Sequence, residues 1–276
     1  MKASSFLAFK YLFSKTRFSI VSIISAFSII VLTLAYFSFF TVLSVFSGLE
    51  QYSLNFSKSF DPDVKIFSDS KSFFKLESED LLFISDNIGE KSFSKIVTGN
   101  VLINHEGAIT YGKILGVDDN FNNVIDFSNI ISVGQYSELG SSEAYTSYSL
   151  AEKLDLTLFN TAGSFEIYSV NSSYPDNLLV PFKNIKSLFS KGVFTTRNND
   201  NENIIVCTLE TAQSLFGLKE NMFSEIYLAS DDKEKIKNIL KSRFNSLSVK
   251  THEELNETLF KMMKSEKLIV SIIMIM

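Results

Sequence analysis

Hydrophobic residues dominate positions 18–46, which contain no charged residue, no glycine and no proline. Of these 29 residues, 21 are apolar or aromatic and eight are serine or threonine. Roughly 20 helical residues cross the hydrocarbon core of a bilayer, which is about 30 Å thick. A soluble helix of this length would show a polar face, and the run has none. The pattern therefore predicts a transmembrane helix, assigned to residues 18–47, that is longer than the hydrocarbon core.

The residues before this helix predict its orientation. Positions 1–17 carry Lys2, Lys10, Lys15 and Arg17 and no acidic residue. Basic residues flank transmembrane helices on the cytoplasmic side, so we expect this leader in the cytoplasm, as an amphipathic helix on the inner surface. A secretory signal peptide has an apolar core of about 7–15 residues and a small-residue cleavage site. The longer run here favours an uncleaved anchor.

A second apolar run lies at the end of the sequence, from Leu268 to Met276. Its nine residues are too few to cross a bilayer. We therefore expect residues 265–276 to begin a second transmembrane helix that continues beyond them. Upstream, Thr251 and Glu254 have the spacing of a capping box, which predicts a helix that begins there and runs unbroken to the end.

The residues between the two apolar runs, 48–264, alternate between the patterns of strands and helices. Period-two alternation indicates half-buried strands, and apolar residues three or four apart indicate amphipathic helices. This mixed order predicts an α+β domain, which the orientation of the first helix assigns to the periplasm. The predicted strands are 61–67, 96–104, 108–117, 164–170, 204–207 and 226–229, and the predicted helices are 77–87, 147–154, 209–216 and 231–244.

Turn and cap residues define several of these elements. The tripeptide His105-Glu106-Gly107 predicts a hairpin turn between two strands. Asp231 with Glu234 predicts the start of a helix. The stripe expected to face the core from the helix 77–87 consists of Leu81, Leu82, Ile84 and Ile88.

Few residues in the chain suggest catalysis. The sequence has no phosphate-binding loop, nucleophile elbow or zinc-protease motif, so we expect no ATP hydrolysis and no enzymatic activity from it. His105 and His252 are interpreted as solvated surface residues, Asp118-Asp119 as a loop, and Cys207 as a buried small hydrophobic residue. A single cysteine excludes an intrachain disulfide, and two distant histidines argue against a zinc site. The net charge of −5 argues against a nucleic-acid partner.

Several segments, taken in order, carry the motifs of one known family. Residues Leu43–Glu50 read LSVFSGLE, which resembles an L-S-V-x-x-G-[FL]-E ending of a first span, and Ile114–Asp118 is similar to an x-x-G-V-[DP] strand end. The chain thus resembles the permease subunits of lipoprotein-releasing ABC transporters, LolC and LolE. These belong to the wider group with MacB-like periplasmic domains and FtsX-like permease regions. Further similar segments are 150–156, 191–194, 209–216 and 259–268.

The resemblance implies a multi-pass permease of the bacterial inner membrane. Its fold would be an α-helical membrane anchor plus an α+β periplasmic domain of two subdomains, the MacB-like periplasmic core. One subdomain would contain residues of about 50–130 and 222–250, and the inserted one residues of about 135–220. The implied function is extraction of lipoproteins from the inner membrane toward the outer membrane, coupled to ATP hydrolysis.

The resemblance also implies partners. A separate cytoplasmic ABC ATPase would hold ATP and Mg²⁺, so this chain is expected to bind no cofactor of its own. A second permease subunit, identical or different, would complete the membrane part. Lipoproteins would be the substrates, membrane lipid would surround the helices, and a periplasmic carrier, LolA, would receive the cargo.

Two groups of residues are candidates for substrate and carrier contact by the resemblance. Val42, Val45 and Phe46 correspond to positions where the family's first helix faces the lipoprotein cavity. Their spacing of three and four residues puts them on one helical face, and lipid or a neighbouring helix is the alternative contact for that face. The segment 171–181 corresponds to the carrier-docking hairpin and is shorter than that of the family. Its docking candidates are Tyr174, Pro175, Asp176 and Asn177.

Two alternative functions remain open from the sequence. One is a MacB-like or FtsX-like permease that transmits the motion of an ATPase to an efflux partner or to a cell-wall hydrolase. The other is a membrane-anchored periplasmic sensor or adhesion module, which needs only one transmembrane helix. Lipoprotein release and the MacB-like or FtsX-like functions share a fold, so the sequence does not separate them. The second apolar run, which begins at Leu268, argues against a sensor or adhesion module.

Overall fold

The structure, a computed structural model, describes residues 20–57, 61–156, 164–170, 182–195 and 202–275. The chain divides into two compact units. The first unit combines the residues up to Ser53 with those from Lys261 onward, and the second comprises Leu54–Phe260. Apolar segments that are more than 200 residues apart in sequence therefore belong to the same unit.

Helices and strands alternate along the chain in the order that an α+β domain requires. The helices are α1 (Ile20–Ser57), α2 (Ser78–Ile88), α3 (Phe121–Ile125), α4 (Tyr148–Lys153), α5 (Leu209–Phe216), α6 (Lys233–Arg243), α7 (His252–Leu255) and α8 (Glu257–Ile275), with a 3-10 helix at Phe127–Ile130. The strands are β1 (Val64–Phe67), β2 (Phe74–Lys75), β3 (Phe93–His105), β4 (Ala108–Val117), β5 (Ile131–Val133), β6 (Glu143–Ser147), β7 (Ser164–Val170), β8 (Phe182–Phe194), β9 (Ile204–Thr208), β10 (Met222–Phe223), β11 (Glu225–Leu228) and β12 (Ser248–Thr251).

Helix α1 is the most apolar element of the chain. Its 38 residues correspond to a length of about 57 Å. Within the described residues, one helix is long and apolar enough to cross a membrane, the part of α1 from Ile23 to Gly48, with a mean hydropathy of 2.3. The hydroxyl groups of Ser28, Thr33 and Thr41 donate to the carbonyl four residues earlier, at 2.8–2.9 Å. Because these groups are satisfied inside the helix, they do not oppose a lipid environment.

The second unit contains a ten-stranded sheet with the order β12-β1-β11-β3-β4-β9-β6-β8-β5, in which β7 pairs with both β3 and β8. The long strand β3 makes this possible, because it pairs with β11 along its first residues and with β7 along Val101–Asn104. Strands β3, β4, β9, β6, β8 and β7 consequently form a closed ring. A closed ring leaves no unpaired edge among its six strands.

Buried residues form three clusters around this sheet. The largest contains the inward-facing residues of the ring and the apolar faces of α4 and α5, among them Ile103, Phe165 and Cys207. A second cluster lies between the strands β1 and β11 and the helices α2 and α6. The third contains Phe121, Phe127 and Tyr145 and covers the outer side of β4 and β9. The α+β domain therefore has layers of helix on both faces of its sheet.

The first and last strands of the domain, β1 and β12, pair antiparallel, with Val64 opposite Thr251. Strands from both predicted subdomains join the same sheet, and both sets lie in the unit Leu54–Phe260. The division into two subdomains at about residues 130 and 222 remains a prediction.

Two predictions about residues of the helices α2 and α6 were wrong. Leu82, expected on the core face of α2, is 62% exposed, while Ile84 is buried there. Helix α6 is capped by Asp232 and not by Asp231, because the Asp232 carboxylate accepts from the Lys235 N–H at 3.2 Å. The cap differs from the prediction by one residue, because Asp232 and not the adjacent Asp231 reaches the N–H groups of the first turn.

The helix predicted to run unbroken from the capping box is interrupted. Thr251 and Glu254 form the capping box of α7 as expected, with each side chain accepting from the backbone N–H of the other residue. Asn256 then leaves the helical conformation, and its amide donates to the Asp61 carboxylate at 3.0 Å. Helix α8 begins after it, at Glu257. The interruption is a single residue, Asn256, whose side chain bonds across the domain.

Candidate functional site

The three candidate cavity residues of α1 differ in exposure. Among residues 23–48, Val42 and Phe46 are the positions with reduced exposure, and they are four residues apart. Val45, on the adjoining part of the same face, is 62% exposed. The residues lie on one helical face, as their spacing predicts. Their contact with a substrate stays a prediction.

The carrier-docking candidates Tyr174, Pro175, Asp176 and Asn177 lie outside the described residues. The strands that flank them are described. Strands β7 and β8 pair antiparallel, with Val170 opposite Phe182. Segment 171–181 thus connects two paired strands of the ring, and a role in docking remains a prediction.

No catalytic constellation is formed by the histidines and the cysteine in the described part of the chain. Nδ1 of His105 lies 3.0 Å from the carbonyl oxygen of Ser164, beside the hairpin turn. Cys207 is buried as predicted, and burial raises the pKa of its thiol well above the usual range. A thiol that stays protonated is a poor nucleophile. Among the described residues, no group of His, Cys, Asp and Glu could hold a metal ion.

The interpretation of His252 as a surface residue was wrong. The residue is 1% exposed. It follows β12, whose residues Val249 and Thr251 are also buried. Its ring contacts the Phe260 ring edge to face, with the centroids 5.8 Å apart, and Nδ1 lies 3.9 Å from a carboxylate oxygen of Asp61. The neighbouring residues Glu253 and Glu254 had suggested solvent, but the ring is buried by its contacts with Phe260 and Asp61 in the folded domain.

A pocket of about 540 Å³ opens in the α+β domain, where the parallel strands β4 and β9 end. We call it the acidic pocket, because four carboxylates line it. It is closed on its other sides by α3, the start of α5 and the loop between β5 and β6. The carboxylates are Asp118, Asp119, Glu138 and Glu210.

Tyrosine side chains form one wall of the acidic pocket. The Tyr136 and Tyr145 rings stack at an interplanar angle of 10°, with centroids 6.4 Å apart. Tyr145 is buried, and its hydroxyl accepts from the Ser137 N–H at 2.9 Å and lies 3.1 Å from the Gln135 carbonyl oxygen. Tyr136 keeps 39% of its surface exposed. The buried Tyr145 ring is therefore held in place by hydrogen bonds to the loop, and the Tyr136 ring is partly exposed to solvent.

One carboxylate of the acidic pocket is part of the fold. Asp118 accepts from the Ser94 hydroxyl at 2.6 Å and from the Lys95 N–H at 3.1 Å, and it lies 3.6 Å from Nζ of Lys95. These contacts hold the end of β4 against β3. The other three carboxylates, on Asp119, Glu138 and Glu210, form no ion pair among the described residues.

The sequence reasoning missed the acidic pocket. Asp118-Asp119 was interpreted only as a loop, and residues 134–142 were assigned to no element. Tyr136 and Glu138, which are two residues apart, are by themselves only a weak indication of a pocket. The pocket becomes visible only when the register of β4 against β9 brings Asp119 and Glu210 to one end of the sheet.

Comparisons with known proteins were made for the sequence and for the structure. No family model matches the sequence, and no curated protein matches it. Solved structures do match the fold. One is the periplasmic region of MacB from Actinobacillus actinomycetemcomitans, with a TM-score of 0.49 and 11% identity over 74% of this chain and 95% of that one.

Two further structures are similar to the chain. The extracellular domain of the noncanonic ABC-type transporter YknZ from Gram-positive bacteria matches with a TM-score of 0.46 and 13% identity, over 68% of this chain and 99% of that one. A domain of a proposed permease from Porphyromonas gingivalis matches with a TM-score of 0.37 and 10% identity, over 70% of this chain and 88% of that one.

Proposed function

We propose that this chain is a transmembrane permease subunit of an ABC transporter that extracts lipoproteins from the inner membrane. The observation that carries the proposal is the first compact unit, to which both α1 and the apolar end of α8 belong although the whole α+β domain separates them in sequence. A sensor or adhesion module needs only one apolar anchor. The family motifs at residues 43–50 and 114–118 support the same class.

The physical requirement for such a transporter is energy from outside this chain. A lipid anchor gains about 0.8 kcal/mol for each buried CH₂ group, so withdrawal of a multiply acylated protein is costly. In this proposal the ATP and Mg²⁺ are bound by a separate cytoplasmic ATPase. Helix α1, continuous for 38 residues, acts as a rigid rod that carries the motion of the ATPase across the bilayer.

The membrane part contains a second permease subunit, identical or different, and the face with Val42, Val45 and Phe46 receives the lipid anchors. The segment 171–181, which connects β7 and β8, is the place where a carrier such as LolA docks. The resemblance of residues 43–50 to the family's first span supports the role of this face, and the position of the segment between β7 and β8 is compatible with carrier docking.

Depletion of the chain in its own cells tests the proposal. After depletion, inner and outer membranes are separated and the acylated proteins of each are quantified. We expect acylated proteins to accumulate in the inner membrane, and re-expression of the chain to reverse this. Re-expression together with an ATPase that cannot hydrolyse ATP should not reverse it. An unchanged distribution, with altered drug efflux or cell-wall hydrolysis instead, would replace lipoprotein release by a MacB-like or FtsX-like function.

A further inference from the structure

Helix α8 carries three lysines directly before its apolar end, Lys261, Lys264 and Lys267. We propose that these residues, the lysine cluster, bind the phosphate groups of anionic phospholipids in the leaflet that the chain enters from the α+β domain. The inference rests on the proposed function only in that α8 enters a membrane, and it does not depend on what the transporter moves. Three features carry it: the depth of the cluster, the helical face that it shares with apolar side chains, and its charge.

The lysine cluster belongs to the compact unit of the apolar segments. That unit includes the chain from Lys261 onward, whereas the α+β unit ends at Phe260. A helix rises about 1.5 Å per residue, so the three lysines stand about 10, 6 and 1.5 Å before the apolar run that begins at Leu268. The headgroup region beside the hydrocarbon core is about 5–8 Å thick on each side, and the long lysine stem can bend toward it. The cluster therefore lies at the depth of the headgroups when the apolar run enters the hydrocarbon.

One face of α8 changes from cationic to apolar at this depth. The residues on this face follow one another at spacings of three and four: Lys261, Lys264, Leu268 and Ile272. All four are exposed, Leu268 at 59% and Ile272 at 51%, and the exposed Lys267 lies beside them. Lysines near the end of a membrane helix extend their ammonium groups toward the interface. The face thus has the pattern of a helix that passes from headgroups into hydrocarbon.

The charge of this face is positive. Residues 261–267 contain the three lysines and one acidic residue, Glu266. At about 100° per residue, Glu266 lies about 160° around the helix from Lys264, and it is less exposed than the lysines. Glu257, one turn before Lys261 on the same side, offsets charge only at the end nearer the domain. The positive charge therefore increases toward the apolar run.

This position favours a lipid phosphate as the counter-charge. Basic residues are normally concentrated on the cytoplasmic side of a membrane helix, and the opposite side is poor in them. The attraction of a lysine to an anionic membrane surface falls off within a Debye length, which is about 8 Å at physiological ionic strength. The cluster is close enough to profit from that attraction. A lipid phosphate, unlike a soluble anion, is held at this depth by its own acyl chains, which lie beside Leu268 and Ile272.

Lipid retention by the full chain tests the proposal. The chain is placed in nanodiscs that contain equal amounts of phosphatidylglycerol and phosphatidylcholine with identical acyl chains. After transfer to detergent, the lipids that stay bound are counted by mass spectrometry. We expect phosphatidylglycerol to be retained at least about 5-fold over phosphatidylcholine. Equal retention of the two lipids would overturn the proposal.

Matched variants locate the site. Replacing the three lysines of the cluster together by glutamine should lower the preference for phosphatidylglycerol at least about 3-fold, and replacing them by arginine, which keeps the charge, should preserve it. The control neutralises three exposed lysines of the α+β domain and should leave the preference unchanged. Its substitutions are Lys71→Gln, Lys219→Gln and Lys235→Gln. An unchanged preference in the glutamine variant of the cluster, with the chain still folded, would contradict the assignment.

The basic leader is the alternative source of such a preference. A further variant replaces its four basic residues by glutamine, and we expect it to keep the part of the preference that the cluster provides. If the preference is lost in the leader variant and kept in the cluster variant, the leader binds the lipid and the proposal is wrong.

Inorganic phosphate separates a lipid from a soluble anion. It is added at constant ionic strength, with chloride as the control, and should displace no more phosphatidylglycerol than chloride does. Greater displacement by phosphate that disappears in the glutamine variant of the cluster would assign the cluster to a soluble anion and contradict the proposal. A negative result of the depletion experiment would leave the lipid counts unchanged, so the two proposals fail separately.

Discussion

At Gly116 the strand β4 and the helix α5 approach so closely that an added methyl group would not fit. A Cβ atom there would lie 2.2 Å from Cβ of Ala212 and 3.3 Å from the carbonyl oxygen of Thr208. Gly116 is the glycine of the motif at residues 114–118. The motif therefore has a structural reason, because only glycine lets α5 rest directly on the ring.

Gly116→Ala should destabilise the domain by about 1–3 kcal/mol, the usual effect of overpacking a core. Thermal unfolding of the detergent-solubilised chain measures the change. Gly140→Ala is the control, because a Cβ atom at Gly140 would meet Glu143 only at ordinary contact distances from 3.4 Å. An unchanged melting temperature for Gly116→Ala would show that α5 moves away at no cost.

Glu143 and Lys191 connect β6 to β8 at the side of the acidic pocket. The carboxylate of Glu143 lies 2.5 Å from Nζ of Lys191 and accepts from the Gly140 N–H at 2.9 Å. These contacts, the lysine first, hold the pKa of Glu143 below its usual value. A carboxylate with a lowered pKa in the folded state stabilises the fold above its unfolded pKa, and the contribution is lost as the pH falls through the folded pKa.

Glu143→Gln should therefore lower the free energy of unfolding at pH 7 by about 0.5 kcal/mol, since the pair is partly exposed to solvent. The difference from the wild type should vanish at a pH below the folded pKa. Urea unfolding at neutral and acidic pH measures it. A difference that stays constant with pH would assign the effect to packing and not to charge.

At the scale of elements, local signals were sufficient at several turns and caps. The hairpin turn at residues 105–107 and the strands on both sides of it are confirmed, as are the bounds of β7 and of α5. In each of these segments, the hydrophobic pattern and the turn or capping residues indicate the same boundaries. Glu106 and Gly107 both adopt positive φ angles, 51° and 91°, which a two-residue hairpin turn of this kind requires.

The turn gives a direct prediction. Gly107→Ala should destabilise the domain by about 1 kcal/mol, because an L-residue is strained at that φ. Glu106→Asn should stabilise it by a few tenths of a kcal/mol, because asparagine tolerates the left-handed region better than glutamate. Opposite shifts of the melting temperature in the two variants confirm the turn. Shifts in the same direction would contradict it.

The elements that the sequence did not predict depend on distant partners. No predicted strand covers β8, and only its residues 191–194 were noted, as a segment similar to the family. The 13-residue strand gains its length by pairing with β5, β6 and β7 in turn. The acidic pocket joins residues from Lys95 to Glu210, and no local pattern relates them. His252 was misjudged because its burial depends on Asp61 and Phe260, which contact it only in the folded domain.

At the scale of the whole molecule, the two compact units differ in the elements that they contain. Among the described residues, the first contains the apolar part of α1 and the end of α8, and the second contains the closed ring and the acidic pocket. The four basic residues before the first helix predict that the second unit is in the periplasm.

Cysteine labelling tests this orientation. Ser142, an exposed loop residue, is replaced by cysteine, and intact cells are treated with a membrane-impermeant maleimide. We expect Ser142→Cys to be labelled from the periplasmic side, while the wild type is not labelled because its single cysteine, Cys207, is buried. The wild type should react after denaturation. Labelling of Ser142→Cys from the cytoplasmic side alone would reverse the orientation.

The face of α1 provides the most direct test of lipoprotein extraction. A photo-crosslinking amino acid is placed at Val45 and, as the control, at Ile30 of the same helix. The two native side chains are similarly exposed, at 62% and 56%, so accessibility alone does not distinguish them. The account predicts that Val45 captures acylated proteins in cells and that Ile30 captures fewer. Equal capture at both positions, or capture at neither, would contradict it.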